Sequence, residues 1–453
     1  MPIASVTPPL SRSALRSVFE ERGGDELVGV EVETAALDPL TGAAVPYAGE
    51  NGVRAYLDFL SSLPGAEPEL DHGALVGVRL PGGGTVSVEH GGAVEFSSRP
   101  ATRVADLAEH TAGALRELAA AARRFGFALV PGALYPCTPF EEVNWVPHAR
   151  TPLMRRHFAS LGEAGCWGSH LMSMTLSTQA SFDFLSPADL AAKLTMQAAA
   201  STPAAALFVN APVYAGRPSS FLSHRMHYRS RTDPARTRVI PVTLREDFDI
   251  ERFIDWALTL PMIHRATPDG GCRPVEPVPF GTLIRSGFED GTLPDLGDWR
   301  AHLSQIFSDV RLRATLEVRA VDGPPWYALM AVPAFWSGLT YHEPSRTAAR
   351  DMLRHVSRER HLAALDDIAR RGMAAEFDGR PVRETAAELL RLSTEGLRAR
   401  IAAGLERPEA LACLDPLHEV VTSGVTFAER VLAAWHEAPE RFPERFVAEY
   451  RIP

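Results

Sequence analysis

Val28-Gly29-Val30-Glu31-Val32-Glu33 is the stretch that decides the fold, because apolar and polar residues alternate along it. In a β-strand, successive side chains point to opposite faces of the sheet, so the valines share one face and both glutamates share the other. The two glutamates are then roughly 7 Å apart along the strand. We therefore predict a strand over residues 27–36 with one apolar and one polar face. The polar face either meets solvent, as in many antiparallel sheets, or belongs to a site.

Two later segments carry glutamates in the same apolar setting. They are Val88-Glu89-His90-Gly91-Gly92-Ala93-Val94-Glu95-Phe96 and Leu316-Glu317-Val318-Arg319. Carboxylates gathered on one concave sheet face repel each other and take up protons unless cations neutralise them. An oxygen-rich cluster suits Mg²⁺, which usually shares its shell with waters and substrate phosphates. Arg319 shares a strand face with Glu317, so it either touches a transferred phosphoryl group or only pairs with Glu317.

The charge balance excludes several classes of protein. The chain of 453 residues has a net charge of −10, which argues against a nucleic-acid-binding protein. Lys193 is the only lysine, so arginine supplies the other cationic side chains. A P-loop nucleotide site, which needs a Gly-Lys-Ser/Thr motif, is therefore excluded. Any phosphate clamp must use arginine, metal or backbone amides.

The location expected from the sequence is the cytoplasm. The four cysteines match no zinc or redox spacing, and the first residues show no secretory signal pattern. No run of 18 apolar residues predicts a membrane span. We expect a protein without disulfides, organised as an α+β catalytic core over residues 1–340 and a helical region over 341–453 packed on it.

Periodicity predicts the elements around the glutamates. We expect a short helix at about 11–21, a helix at 52–63, a hairpin at 74–97 turned at Pro81-Gly82-Gly83-Gly84, and a helix at 103–125. Strict alternation predicts a strand from Leu171 to Phe184, followed by a helix capped by Ser186.

The second half of the chain gives fewer clear signals. Residues 207–240 predict an arginine-rich loop that is either a solvated surface or an anion site. Arg311 to Asp322 is predicted to be one strand with Arg313, Thr315, Glu317 and Arg319 on one face. From Trp326 onward the pattern is almost entirely helical.

Five motifs in order resemble the glutamate–cysteine ligase superfamily, in its plant-type branch, which includes the bacterial enzyme of the ergothioneine pathway. The resemblance covers roughly residues 27–340. Its motifs are Gly29–Glu33, Val88–Ser97, Thr175–Asp183, the loop with Asn210-Ala-Pro, Ser223-His-Arg225 and Thr232-Asp-Pro-Ala-Arg236, and the strand Leu316-Glu-Val-Arg-Ala-Val-Asp322.

The resemblance implies a glutamine-synthetase-like fold, in which an antiparallel sheet curves into a funnel with helices outside. It implies ATP-dependent formation of γ-glutamyl phosphate from L-glutamate, then attack by an amine such as that of L-cysteine, giving γ-glutamylcysteine. Two or three Mg²⁺ ions would be held by Glu31, Glu33, Glu89, Glu95 and Glu317. Arg319 and Arg225 would be catalytic, and ATP or substrate would contact Gln179, Asn210, Arg225 and Arg236.

Departures from the family pattern leave other functions open. His90 stands where the family commonly has proline, and the loop from Ala215 to Arg231 is richer in arginine. A specialised amide ligase using another acid or amine, an inactive binding homologue, and a guanidino-kinase-like phosphotransferase are the alternatives. The acceptor and the oligomeric state are not predicted.

Overall fold

The computed structural model describes residues 10–20, 24–267 and 270–453. Its strands are β1 (Val28–Leu37), β2 (Glu67–Asp71), β3 (Ala74–Arg79), β4 (Thr85–Val88), β5 (Val94–Ser97), β6 (Ala128–Pro131), β7 (Thr178–Phe182), β8 (Val213–Tyr214), β9 (Arg217–Pro218), β10 (Thr237–Arg238), β11 (His264–Ala266), β12 (Cys272–Pro274), β13 (Phe307–Ser308), β14 (Val310–Leu312), β15 (Leu316–Val318), β16 (Glu376–Phe377) and β17 (Arg380–Pro381).

Helices surround these strands and dominate the second half of the chain. They are α1 (Arg12–Arg16), α2 (Val53–Ser61), α3 (Val104–Arg123), α4 (Thr151–Ser160), α5 (Gly168–Met174), α6 (Pro187–Ala205), α7 (His224–Arg229), α8 (Ile250–Thr259), α9 (Phe280–Ser286), α10 (Leu296–Ser304), α11 (Ala331–Thr340), α12 (Glu343–Leu353), α13 (Arg358–Arg371), α14 (Val382–Ala402), α15 (Asp415–Ser423), α16 (Phe427–Glu437) and α17 (Phe442–Tyr450).

A nine-stranded sheet forms the centre of the fold. Its order is β14-β15-β7-β1-β5-β4-β3-β2, and β6 pairs with the far end of β1. Every pairing in this sheet is antiparallel. One face is apolar and packs on helices; its residues Val30, Val32, Phe96, Ala180 and Val318 are all at most 3% exposed. The other face carries the glutamates, as the alternation in β1 predicts.

Several predicted elements are confirmed, although the predicted hairpin at 74–97 is three strands, because the chain turns a second time between β4 and β5. The turn between β3 and β4 uses Gly83 and Gly84 with positive φ, and the Leu80 N–H donates to the Gly84 carbonyl at 3.0 Å. Helix α3 ends just before Gly126, whose φ is 80°. Ser186 caps α6, since its hydroxyl accepts from the Asp189 N–H. Helix α1 confirms the start of the first helix, although its predicted last residue, Glu21, lies outside the described residues.

The prediction of a strand from Leu171 to Phe184 is wrong in its first half, which is helix α5. Two hydroxyls satisfy carbonyls one turn back: Ser173 Oγ donates to the Ser169 carbonyl and Thr175 Oγ1 to that of Leu171. The helix also packs closely against Gly91, where any Cβ would collide with the Ser173 backbone. Tertiary packing therefore overrides the local alternation, and only Thr178–Phe182 is strand.

The prediction of one strand from Arg311 to Asp322 is also wrong, because the segment folds into the β14–β15 hairpin. The chain reverses at residues 313–315, where the Arg313 N–H donates to the Thr315 carbonyl. Arg311 then lies directly opposite Glu317. The pairing of an arginine with a glutamate across the strands favours the reversal over a continuous strand.

The region after residue 340 is mostly helical, as predicted. Helix α14 packs against α11, and α12 packs against α6. The division at residue 340 stays a prediction. Across the described ranges, the helices include none with the length and apolarity needed to cross a membrane.

Candidate active site

Pairing in the central sheet brings four of the five predicted glutamates onto one face, and the fifth, Glu89, follows β4 close enough to Glu33 and Glu95 to raise the pKa of both. Glu33 lies opposite Glu95, and Glu31 lies opposite Gln179. Glu317 on β15 lies opposite Ser181 of β7, one strand further along the same face. Residues directly opposed across antiparallel strands have side chains on the same side of the sheet. We call this surface the carboxylate face.

Glu33 lies at the centre of this face and is 9% exposed. It accepts hydrogen bonds from Ser177 Oγ at 3.2 Å and from Gln179 Nε2 at 3.0 Å. Burial and the nearby charge of Glu89 raise the pKa of Glu33 from 4.5 to about 7, although Arg225 and Arg319 oppose the rise. The metal-free site therefore holds a carboxylate that is partly protonated near neutral pH.

Glu95 and Glu31 extend the same acidic surface. Ser87 and Ser97 donate to Glu95 at 3.1 and 3.4 Å. Burial, and then the charges of Glu31, Glu89 and Glu33, raise the pKa of Glu95 well above its usual value. Burial also raises the pKa of Glu31, with a further rise from Glu317. These carboxylates lack enough positive charge from the protein.

Glu317 has the opposite environment, although its residue type is the same. It is fully buried, and Arg311 binds both of its oxygens at 2.8 to 3.1 Å. Arg313 donates to Glu317 Oε2 at 2.7 Å, and Arg319 donates to Oε1. Burial disfavours the charged carboxylate, but Arg311, Arg319 and Arg313 together outweigh it and hold its pKa well below the usual value.

Gln179 joins the two ends of the carboxylate face. Its amide oxygen accepts from Arg319, and its amide nitrogen donates to Glu33. One end of this chain of hydrogen bonds is a guanidinium group and the other a carboxylate, so the side-chain amide has one favourable orientation. The predicted residues Gln179, Arg319 and Glu33 are thus in direct contact.

Arg225 lies behind Arg319 and is 4% exposed. Its guanidinium donates to the backbone carbonyls of Arg319 at 2.9 Å and Ala320 at 3.4 Å, and Asp322 lies 3.6 Å away. Burial and the charge of Arg229 lower the pKa of Arg225 to about 10. These contacts hold the backbone that carries Arg319.

Asn210 and Arg236 are not on the carboxylate face in this structure. Asn210 donates to Asp322 through its backbone and to the Gly323 carbonyl through its side chain. Arg236 is 2% exposed, pairs with Asp233 at 2.8 Å and donates to the Pro261 carbonyl. Their roles in binding ATP or substrate stay predictions.

The donor set fits hard cations, although it is not closed around one. Within residues 10–20, 24–267 and 270–453, no three His, Cys, Asp or Glu side chains form a group that could hold a metal ion. The raised pKa values of Glu31, Glu33 and Glu95 nevertheless show charge that the protein leaves uncompensated. Oxygen donors with such a deficit suit Mg²⁺.

Sequence reasoning missed Arg311, Ser177 and Ser87. Arg311 makes the bidentate contact to Glu317 that the continuous-strand prediction concealed. The signal available was the sequence Arg311-Leu-Arg313-Ala-Thr-Leu-Glu317, in which a turn at 313–315 places Arg311 opposite Glu317. The serines carry no distinguishing pattern of their own.

Comparisons with known proteins agree with this geometry. The family model for Glutamate-cysteine ligase family 2 (GCS2) matches residues 27–445. The chloroplastic glutamate–cysteine ligase of Medicago truncatula is 31% identical over 356 residues, which cover 78% of this chain and 68% of that protein. The chloroplastic glutamate–cysteine ligase B of Oryza sativa subsp. japonica is 32% identical over 352 residues, covering 77% and 68%.

A solved structure supports the fold. The glutamate–cysteine ligase of Francisella tularensis in complex with AMP superposes with a TM-score of 0.56 at 11% identity, covering 96% of this chain and 91% of that one. At this identity the likeness shows the fold alone, and it confirms the predicted antiparallel-sheet architecture.

The plant comparisons also bring one correction. The expected cytoplasmic location is contradicted, since the matching plant proteins are named chloroplastic.

The match to the family model spans most of the sequence, and it confirms the predicted superfamily and the prediction of a ligase. This chain belongs to glutamate–cysteine ligase family 2.

Proposed function

We propose that the carboxylate face joins L-glutamate to L-cysteine at the expense of ATP. A γ-carboxylate oxygen attacks the terminal phosphorus of ATP, and ADP leaves. The amine nitrogen of cysteine then attacks the acyl carbon, phosphate leaves, and the nitrogen loses a proton. The family and its plant relatives support this activity, as the sequence predicts.

The observation that carries the assignment of residues is the Arg319–Gln179–Glu33 chain of hydrogen bonds. A carboxylate is a poor acyl donor, and its phosphorylation passes through states rich in negative charge. A guanidinium fixed beside those oxygens stabilises them without reorganising during the reaction. Arg319 takes this role, and Arg225 positions it through the Arg319 and Ala320 carbonyls.

The charge of the carboxylate face is uneven, so its two ends suit different groups, phosphate at one end and Mg²⁺ at the other. At the β15 end, Arg311, Arg313 and Arg319 bind the carboxylate of Glu317 and also lie close enough to Glu31 to oppose the rise of its pKa. Three cations against these two carboxylates suit the phosphate groups of ATP. Incoming phosphates would share these arginines. The oxygens of Glu317 would then be released to act as metal ligands.

At the other end, Glu33, Glu89 and Glu95 lie together, with Glu31 between the two ends, and burial and mutual repulsion raise the pKa of Glu33 and Glu95. These four, with Glu317 once released, would hold two or three Mg²⁺ ions. Bound Mg²⁺ would neutralise phosphate oxygens and the charge that develops during transfer. These glutamates provide the oxygen ligands. Because the pKa values of Glu33 and Glu95 are raised, a bound cation would stabilise their charged forms.

The test measures ADP and phosphate release with Mg²⁺, ATP and L-glutamate, with and without L-cysteine, together with the mass of the product. We expect release that depends on cysteine and yields γ-glutamylcysteine. Release with another amine only would assign a specialised amide ligase, and stable phosphorylation of a guanidinium without free phosphate would assign a phosphotransferase. No ADP with any acid and amine would support an inactive homologue.

Site variants test the residues separately from the reaction. Arg319→Gln should lower turnover at least about 10²- to 10³-fold, which is the worth of one oxyanion-stabilising donor in such sites. Arg123→Gln, at an exposed arginine on α3 outside the face, is the matched control and should retain full activity. Full activity in Arg319→Gln would refute the assignment of Arg319.

A further inference from the structure

Glu89 is the one predicted metal ligand that lies outside a strand, since β4 ends at Val88 and β5 begins at Val94. Its backbone N–H donates to the Ala93 carbonyl and its carbonyl accepts from the Gly92 N–H, both at 2.8 Å, so Glu89 opens a tight turn. Among the described residues, its side chain has no hydrogen-bond or salt-bridge partner. The place of its carboxylate therefore depends on what holds the turn.

His90, the next residue, connects this turn to the segment that leads into α4. Its side chain is 4% exposed, and its Nδ1 is hydrogen-bonded to Thr151 Oγ1 at 2.7 Å. Thr151 is the first residue of α4. The His90 carbonyl also accepts from the Val146 N–H at 2.9 Å. His90 is thus bound to residues 146–151 through both its side chain and its backbone.

His148 makes a second connection between the same two segments. Its Nε2 donates to the Val88 carbonyl at 2.7 Å, because a carbonyl can only accept. Its ring also meets the ring of His90 edge-on, with the centroids 5.0 Å apart. Val88 and His90 are the two neighbours of Glu89, so the backbone is held on both sides of this carboxylate. We call His90, His148 and Thr151 the histidine clamp.

The position of Glu89 matters because its carboxylate belongs to the acidic cluster. Its charge raises the pKa of Glu33 and of Glu95, so the three carboxylates lie close together. Mg²⁺ takes its ligands at about 2.0–2.1 Å in nearly ideal octahedral geometry, which makes its binding sensitive to a displaced ligand. A carboxylate without a side-chain partner meets this requirement only where its backbone is fixed.

We propose that the histidine clamp positions Glu89 as a metal ligand, so that His90, His148 and Thr151 control metal affinity without touching the ion. This inference rests on the proposed function, in which Glu89 holds Mg²⁺. Removal of a group that orients a metal ligand typically costs about 10- to 100-fold in metal affinity. Loss of the Thr151 hydroxyl should therefore weaken metal binding about tenfold, although every ligating carboxylate is still present.

The first test measures Mn²⁺ binding to the metal-free protein, without ATP, from the electron paramagnetic resonance signal of free Mn²⁺. Thr151→Val keeps the shape of the side chain but loses the hydroxyl, so binding should weaken about tenfold. Thr151→Ser keeps the hydroxyl and should bind as the wild type does. The matched control is Thr394→Val, at a buried hydroxyl of α14 that lies 3.3 Å from His418, and it should not alter binding. Wild-type affinity in Thr151→Val would overturn the inference.

A double-mutant cycle shows whether the clamp acts through Glu89. Glu89→Gln removes the ligating carboxylate and should weaken Mn²⁺ binding by itself. Adding Thr151→Val to Glu89→Gln should then cause no further loss, because no ligand remains there to be positioned. Additive losses would overturn the inference, since the clamp would then affect binding independently of Glu89.

The same variants distinguish this inference from the function on which it rests. Weaker binding in Glu89→Gln but not in Thr151→Val would overturn the role of the histidine clamp alone. Unchanged binding in Glu89→Gln would overturn the metal role of Glu89 and the inference with it.

Denaturant midpoints in EDTA show whether each variant is folded. If Thr151→Val is unfolded, His90→Asn and His90→Leu give the same comparison. Asparagine can place a polar atom where the ring Nδ1 lies, whereas leucine fills the space without one. Mn²⁺ binding should weaken in His90→Leu and be retained in His90→Asn, and equal binding by these two variants would overturn the inference.

Discussion

Replacing Glu33 with glutamine should stabilise the metal-free protein while abolishing its activity. The pKa of Glu33 is raised from 4.5 to about 7, first by burial and then by Glu89. Since the folded pKa lies above the unfolded one, the stabilising contribution is complete below about pH 4.5 and is lost as the pH rises through about 7. Keeping Glu33 ionised at pH 8 then costs about 3 kcal/mol. Glutamine removes this cost, and both contacts can persist, because its amide oxygen can accept from Gln179 Nε2 while its NH₂ group donates to Ser177 Oγ.

Glu317→Gln makes the same chemical change at a glutamate whose electrostatic environment is the opposite. Glu317 is paired with three arginines, and its pKa is held low, so it stays ionised at pH 5 and at pH 8. Removing its charge leaves buried guanidinium groups uncompensated, which typically costs 3–5 kcal/mol. The two substitutions have the same chemistry and should act in opposite directions at pH 8.

The assay measures the denaturant concentration at the midpoint of unfolding. Unfolding is monitored by tryptophan fluorescence, in EDTA, at pH 5 and at pH 8. Relative to the wild type, Glu33→Gln should gain about 2–3 kcal/mol at pH 8 and less than about 1 kcal/mol at pH 5. Glu317→Gln should lose stability at both pH values. A destabilised Glu33→Gln at pH 8, or an effect independent of pH, would refute the uncompensated charge on which the Mg²⁺ assignment depends.

Three further predictions follow from the same contacts. Binding of Mg²⁺ near pH 7 should release protons from Glu33, and titration calorimetry in buffers of different ionisation enthalpy should show this; no dependence on buffer would contradict it. Gln179→Leu should lower kcat about a hundredfold with a smaller effect on KM, because it disconnects Arg319 from Glu33 in the reacting state; steady-state kinetics that show only a raised KM would argue against it. Arg236→Gln should lower the denaturant midpoint because it leaves buried Asp233 without its arginine. The KM for ATP in that variant then decides whether Arg236 also contacts the nucleotide.

The sequence predicts the centre of the fold because the deciding information there is local. In β1, alternation alone assigns Val30 and Val32 to the core and Glu31 and Glu33 to the opposite face. The same rule fails at α5, where residues 171–174 alternate but form a helix. The contact that decides this conformation is with Gly91, some eighty residues away, and no local pattern contains it.

The functional difference between Glu33 and Glu317 is the part that the sequence conceals. Both are glutamates in apolar strands, and both are predicted metal ligands. One has a raised pKa and the other a lowered pKa, because Arg311 reaches Glu317 only when the chain reverses at residues 313–315. Ion pairs across a hairpin depend on its register, and a one-residue change of register would send Arg311 to the apolar face. The division of the face into a phosphate-attracting and a cation-attracting end is therefore a property of strand pairing.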